Sequence, residues 1–119
     1  MKNILEKIIQ EKKESLTKIK KNNSLESLED KIKTINTFLD FKNAISNNKK
    51  ISLISEIKKA SPSAGILVKD FNHLDIAKTY VDCGSTCLSV LTEEKNFLGK
   101  LEYIKDIKDK FTIPILAKD

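Results

Sequence analysis

The sequence predicts an α/β protein in which a helical segment precedes a β-α-β-α-β unit. Two observations carry that reading. Apolar residues recur at helical spacing from Ile4 to Ile45. From Ile51 the pattern changes to short, β-branched runs, "ISLISEIKK", "CLSVLT" and "IPILAKD", separated by two helical stretches. Strands alternating with helices imply parallel pairing through right-handed crossovers. Parallel strands need cover on both faces, which agrees with their nearly continuous apolar runs. The expected division is a helical extension over residues 1–50, then strands with their helices over residues 51–119.

Each element has its own signal. Ile4, Leu5, Ile8 and Ile9, continued by Leu16 and Ile19, form one helical stripe. "KKNNS" interrupts it, and Ser24 is placed to cap a second helix with the stripe Leu25, Leu28, Ile32 and Ile35. Phe38, Leu39, Phe41, Ala44 and Ile45 make a shorter apolar face before the polar break "SNNKK". "ISLISEIKK" alternates and reads as a strand. "SPSAG" is a turn, with Pro62 fixing φ and Gly65 supplying freedom. "DFNHLDIAKTYVDCG" reads as a helix capped by Asp70 or Asn72. Leu74, Ile76, Ala77, Tyr80 and Val81 face inward, and Gly84 stands at the C-terminal end. "CLSVLT" is a buried strand, and "LEYIKDIKDKF" a helix marked by Leu101, Ile104, Ile107 and Lys108. "IPILAKD" is the third strand. Two crossover helices leave one face of such a sheet poorly covered, so the order reads as interrupted.

Composition narrows the function. A chain of 119 residues fits one ordinary domain. It has no apolar run of about 18 residues, so no transmembrane helix is expected. The opening stretch scatters charges among its apolar residues and lacks the h-region of a secretory signal, so the expected location is cytoplasmic. Cys83 and Cys87 match no zinc spacing and read as reduced, structural thiols, Cys87 in the core. His73, with no second ligand near it in sequence, reads as a surface residue in the turn before its helix. The net charge of +5 lies wholly in residues 1–50, and every cation is lysine. Readers of nucleic-acid sequence rely on arginine and on stacking aromatics. A solvated helical face is therefore the better account of the lysines. A basic helical binding module is the alternative, against which the missing arginines weigh.

The chemistry-bearing residues gather at strand ends. Strand side chains alternate, so Ser52, Ile54, Glu56 and Lys58 share one face, and Leu116 and Lys118 share one in the third strand. Ligand sites of parallel α/β proteins lie at the C-terminal strand ends. One acid and two lysines could therefore converge on a pocket; a solvated strand tip with incidental charges is the competing account. Ser61 and Ser63 could donate to a phosphate or simply cap their turn. Phe97, in "TEEKNF", could plug a core or wall a pocket. No glycine-rich phosphate loop of the dinucleotide or P-loop kind is present.

The motifs "LISEIKKASPSAG", "CLSVLTEEKNFLG" and "IPILAKD", in that order, resemble the first three strands and loops of indole-3-glycerol phosphate synthase. "ILEKIIQEKKESL" is similar to that family's leading helix, and "FLDFKNAI" to its segment before the first strand. The resemblance covers essentially the whole chain. It implies the N-terminal part of a (β/α)8 TIM barrel with extra N-terminal helices. It also implies ring closure, with loss of carbon dioxide and water, of the phosphorylated substrate 1-(2-carboxyphenylamino)-1-deoxyribulose 5-phosphate in tryptophan biosynthesis, with no metal or organic cofactor. On the matching positions, Lys118 is the general acid. Lys58 meets the substrate carboxylate, and Glu56 holds these groups in order. Ser61 helps bind phosphate, and Ser89, Leu91 and Phe97 line the pocket around the anthranilate ring. Glu56 between lysines raises their pKa values while desolvation lowers them, and the sequence leaves that balance open.

The chain departs from the family at Leu98, Lys100 and Ala117, where polar and small residues, or a bulkier one before the lysine, are commoner. It also departs in length, since such a barrel takes about 250 residues. On this reading the later strands, the general base and the main phosphate loops lie outside the chain. Residues 1–119 alone are expected to be inactive and self-associating, or to be half of a split enzyme completed by another chain.

Overall fold

A computed structural model of the chain describes residues 3–47 and 50–119. Asn48 and Lys49, within the break "SNNKK", lie outside the described residues, as do Met1 and Lys2. The chain forms two compact units, Met1–Phe38 and Leu39–Asp119.

The first unit is helical. Helix α1 spans Ile4–Asn22 and opens with a capping box: Asn3 accepts from the Glu6 amide at 2.9 Å, and the Asn3 amide donates to the Glu6 carboxylate at 3.2 Å. Helix α2 spans Leu25–Lys33, with the Ser24 hydroxyl accepting from the Ser27 amide at 3.1 Å. It ends before Ile35, the last residue of the expected stripe. No residue of either helix is buried, and Ile4, Leu5, Ile9, Leu16 and Ile19 stay exposed along α1.

The second unit begins with α3, Phe41–Ser46, capped by Asp40, whose carboxylate accepts from the Asn43 amide at 2.8 Å. Strand β1 (Ile54–Ile57) follows, then a small antiparallel pair, β2 (Ala60–Ser61) and β3 (Gly65–Ile66). Helix α4 (His73–Asp82), strand β4 (Cys87–Leu91), helix α5 (Glu102–Lys110) and strand β5 (Ile115–Lys118) complete it. The main sheet is parallel, in the order β1-β4-β5. This is the α/β architecture of the N-terminal part of a (β/α)8 barrel, with helices ahead of the first strand.

Alternation sorts the sheet's faces. Ile57, Leu88 and Val90 point to the helices and form the core with Ala77 of α4, Ile107 of α5 and Ile113. Leu74, Ile76, Tyr80 and Val81 pack around it, as the helical spacing predicts. The opposite face carries Ile54 and Glu56, then Cys87, Ser89 and Leu91, then Leu116 and Lys118. Register pairs Glu56 with Ser89 and Leu91 with Lys118. The middle strand is buried throughout, whereas Ile54 and Leu116 on the flanking strands are 44% and 45% exposed. Cys87 is fully buried, and burial pushes its thiol upward; Cys83 is free and exposed.

Several expectations are corrected. "SPSAG" is more than a turn, because its flanks pair as β2 and β3 while Gly65 takes φ +67°. Of the two caps expected for α4, Asn72 serves: its side chain accepts from the Leu74 and Asp75 amides at 3.0 and 3.2 Å. Leu101 is 66% exposed and sits at the start of α5, outside the buried stripe. His73 is not a surface residue in a turn but the first residue of α4. Its ring stacks on Tyr103 at 4.2 Å, and Nε2 lies 2.9 Å from the Asp106 carboxylate, joining α4 to α5. Among the described residues no helix is long and apolar enough to cross a membrane.

Candidate active site

The C-terminal ends of β1 and β5 bring one carboxylate and two ammonium groups together. Glu56 accepts from the Lys118 ammonium at 2.7 Å through one oxygen and pairs with Lys58 at 3.1 Å through the other. Ser89, on the strand between them, donates to Glu56 at 3.4 Å. Main-chain anchors hold both ends. The Tyr80 hydroxyl donates to the Glu56 carbonyl at 3.2 Å, and Thr92 donates to the Lys118 carbonyl through its amide at 2.9 Å and its hydroxyl at 3.2 Å.

The electrostatics follow from that geometry. Partial burial pushes the Glu56 carboxyl upward. Hydrogen bonds from Lys118 and Lys58, with their charges, outweigh it and hold the group below the ordinary carboxylate value. The hydrogen bond and charge of Glu56 push Lys118 above the ordinary lysine value, against a small desolvation effect. The balance left open by the sequence thus goes to the ion pair at Lys118. Side-chain exposures run from 28% at Glu56 to 48% at Lys118. Ion pairs this open to water contribute about 0–1 kcal/mol each. The cluster therefore does little for stability. The cluster faces away from the helical core, and its two ammonium groups are balanced by Glu56 and, beside Lys118, by Asp119.

The other candidates lie around it. Ser61 and Ser63 face each other at 3.4 Å across the β2–β3 turn, and the Ser61 hydroxyl also accepts from the Ala64 amide at 3.2 Å. Leu91 is buried beside Lys118 in register, and Phe97 is half-buried in the loop after β4. Among the described residues, no hydrogen bond or ion pair joins Ser61, Ser63 or Phe97 to Glu56. The described residues also hold no group of three or more His, Cys, Asp or Glu side chains arranged to bind a metal ion.

One residue escaped the sequence reading. Glu93 turns its carboxylate back on its own loop, accepting from the amides of Lys95, Asn96 and Phe97 at 3.0, 2.6 and 3.0 Å. The loop closes tightly at Gly99, where a Cβ would stand 2.2 Å from the Leu91 carbonyl oxygen. The only sequence signal for Glu93 is an acid at the start of a loop, a pattern too common to act on.

Sheet order, helical layer and strand-end charges together define a class: the opening strands of a parallel α/β barrel with a charged site at their carboxyl ends. The sequence profile of the family described as "Indole-3-glycerol phosphate synthase" matches residues 5–119. Proteins of that name are similar over nearly the whole chain. One from Desulforamulus reducens is 42% identical over 116 residues, covering 98% of this chain and 44% of that protein. One from Aliarcobacter butzleri is 45% identical over 119 residues, covering 98% and 45%. One from Acetivibrio thermocellus is 44% identical over 118 residues, again covering 98% and 45%. The chain belongs to the indole-3-glycerol phosphate synthase family, and spans somewhat under half the length of these relatives.

Proposed function

We propose that residues 51–119 supply the first part of a catalytic barrel, with residues 1–50 as its helical extension. The barrel closes the ring of 1-(2-carboxyphenylamino)-1-deoxyribulose 5-phosphate to indole-3-glycerol phosphate, releasing carbon dioxide and water. The observation that carries this reading is the Glu56 carboxylate held between Lys118 and Lys58 at the strand ends. As the aromatic carbon attacks the carbonyl carbon, the carbonyl oxygen needs a proton, and the Lys118 ammonium supplies it. Lys58 pairs with the substrate carboxylate, and Glu56 orients both lysines. Ser61 and Ser63 donate to the phosphate, while Ser89, Leu91 and Phe97 border the aromatic ring. These steps move protons and carbon bonds only, and the reading calls for no cofactor.

The work belongs to a cytoplasmic enzyme with a small phosphorylated substrate. A barrel of this class needs eight strands. Activity therefore requires the remaining strands, in the same polypeptide or in a complementing chain. Residues 1–119 by themselves are expected to self-associate through the exposed Ile54 and Leu116 face and to lack turnover. The test is Lys118→Ala in the complete enzyme. Turnover should fall about a hundredfold or more with substrate binding largely kept. Near-normal turnover would remove Lys118 from the mechanism.

A further inference from the structure

The loop from Thr92 to Lys100 has no regular secondary structure, yet one of its side chains accepts four hydrogen bonds from within it. On Glu93, Oε1 accepts from the Lys95 amide at 3.0 Å and from the Asn96 side-chain amide at 3.2 Å. Oε2 accepts from the Asn96 and Phe97 amides at 2.6 and 3.0 Å. The Glu93 carbonyl takes the Gly99 amide at 2.8 Å. One residue thus receives five donors from the six that follow it. Charge-assisted bonds of this kind are about twice as strong as neutral ones. Burial pushes the carboxyl up, but the backbone bonds from Asn96, Phe97 and Lys95 outweigh it, so the group is ionised at neutral pH.

The loop also carries a cost that needs an opposing interaction. Leu98 stands at φ +53°, a left-handed conformation that disfavours a branched side chain. The loop's stem is not independent of the strand ends either, because Thr92, next to Glu93, makes both hydrogen bonds to the Lys118 carbonyl.

We propose that Glu93 is a positioning residue for the reaction: its carboxylate sets the loop in the one conformation that presents Phe97 to the aromatic part of the substrate. Glu93 touches no reacting atom and acts through Phe97 and the main chain. This rests on the function proposed above, since it assigns Phe97 a place against the substrate.

The experiment has an arm with activity and an arm without. In the complete enzyme, Glu93→Gln replaces a four-donor acceptor with a group carrying its own N–H donors. It should raise KM about tenfold and leave kcat within about twofold. Phe97→Ala should act in the same direction, and the double variant should be no worse than the poorer single one. Glu94→Gln, an exposed neighbour, should change neither constant. Amide hydrogen exchange is the second arm: Lys95, Asn96 and Phe97 should be protected in the parent and lose protection in Glu93→Gln, while Leu88 in β4 keeps its own. Additive effects of the two substitutions, an equal loss in Glu94→Gln, or unprotected loop amides in the parent would each overturn the proposal. Turnover unaffected by Lys118→Ala overturns the function proposed above instead, and the exchange arm reads separately from it.

Discussion

Glu56 and Lys118 meet at 2.7 Å although a whole strand stands between them. β1 and β5 are both partners of β4, so their backbones lie about 10 Å apart. The long lysine arm and the glutamate close that gap over Ser89, whose small side chain is 4% exposed. The ion pair is thus a bridge with a low pier beneath it.

That bridge sets a pH dependence. Replacing Glu56 by Gln removes the charge that raises Lys118 and leaves only a neutral amide oxygen to accept its hydrogen bond. The alkaline fall of kcat/KM, which reports the free enzyme, should then begin at lower pH than in the parent. The stability signs follow from the shifts. Glu56, held low, contributes above its unfolded pKa, and this is lost as pH falls through the folded value. Lys118, held high, contributes fully below its unfolded pKa, and this is lost as pH rises past the folded value. Between those limits Glu56→Gln should change stability by about 1 kcal/mol or less per pair. An alkaline limb that stays put in the pH profile would separate Lys118 from the rate.

Ser89 should tolerate shortening and resist growth. Ser89→Ala removes one long hydrogen bond and should leave the Glu56–Lys118 pair intact. Ser89→Leu puts a branched chain where the bridge crosses, and overpacking a buried site costs about 1–3 kcal/mol. Turnover of the complete enzyme should drop with it by at least tenfold, because the two groups are forced apart. Thermal unfolding alongside kinetics checks this, and a fully active Ser89→Leu enzyme would show that the bridge is dispensable.

Leu98 offers a gain instead of a loss. Its φ of +53° suits Asn better than a leucine, and its side chain is 38% exposed. Leu98→Asn should stabilise the protein by about 0.5–1 kcal/mol, a rise in Tm of a few degrees. An unchanged or lower Tm would mean that the leucine side chain earns more by contact than the backbone loses.

Gly99 should be intolerant of any side chain. A methyl group there meets the Leu91 carbonyl oxygen at 2.2 Å, so backbone must move. Gly99→Ala should cost about 2 kcal/mol or more and loosen the loop that Glu93 gathers. Chemical denaturation of parent and variant measures it, and a shift under about 0.5 kcal/mol would contradict the close approach.

Much of this fold is written in local pattern. Ser24, Gly84 and the helical stripe of α4 sit where spacing alone places them. Alternation likewise puts Glu56 and Lys58 on one face, and the two side chains pair at 3.1 Å. What escaped depends on distant or patternless partners. The ring of His73 is covered because α5 turns Tyr103 and Asp106 toward it, some 30 residues away in sequence. Strands of two residues, such as β2 and β3, are too short to show a period. Glu93 bonds to backbone amides, which every sequence has, so nothing in the letters marks its partners.

Each main strand adds to the free edge of the strand made before it, in the order β1, β4, β5. The sheet can therefore be laid down in the direction of synthesis, with no strand waiting for a later one to be inserted beside it. At about 5–20 residues per second, a ribosome needs roughly 3–12 s to pass from the end of β1 to the start of β5. Throughout that interval the Glu56 carboxylate has Lys58 and, once β4 is made, Ser89, but not yet its shortest partner, Lys118. The arrival of Lys118 is the first event that ties the newest strand to the oldest, so the ion pair also dates the moment when the nascent sheet acquires its third member.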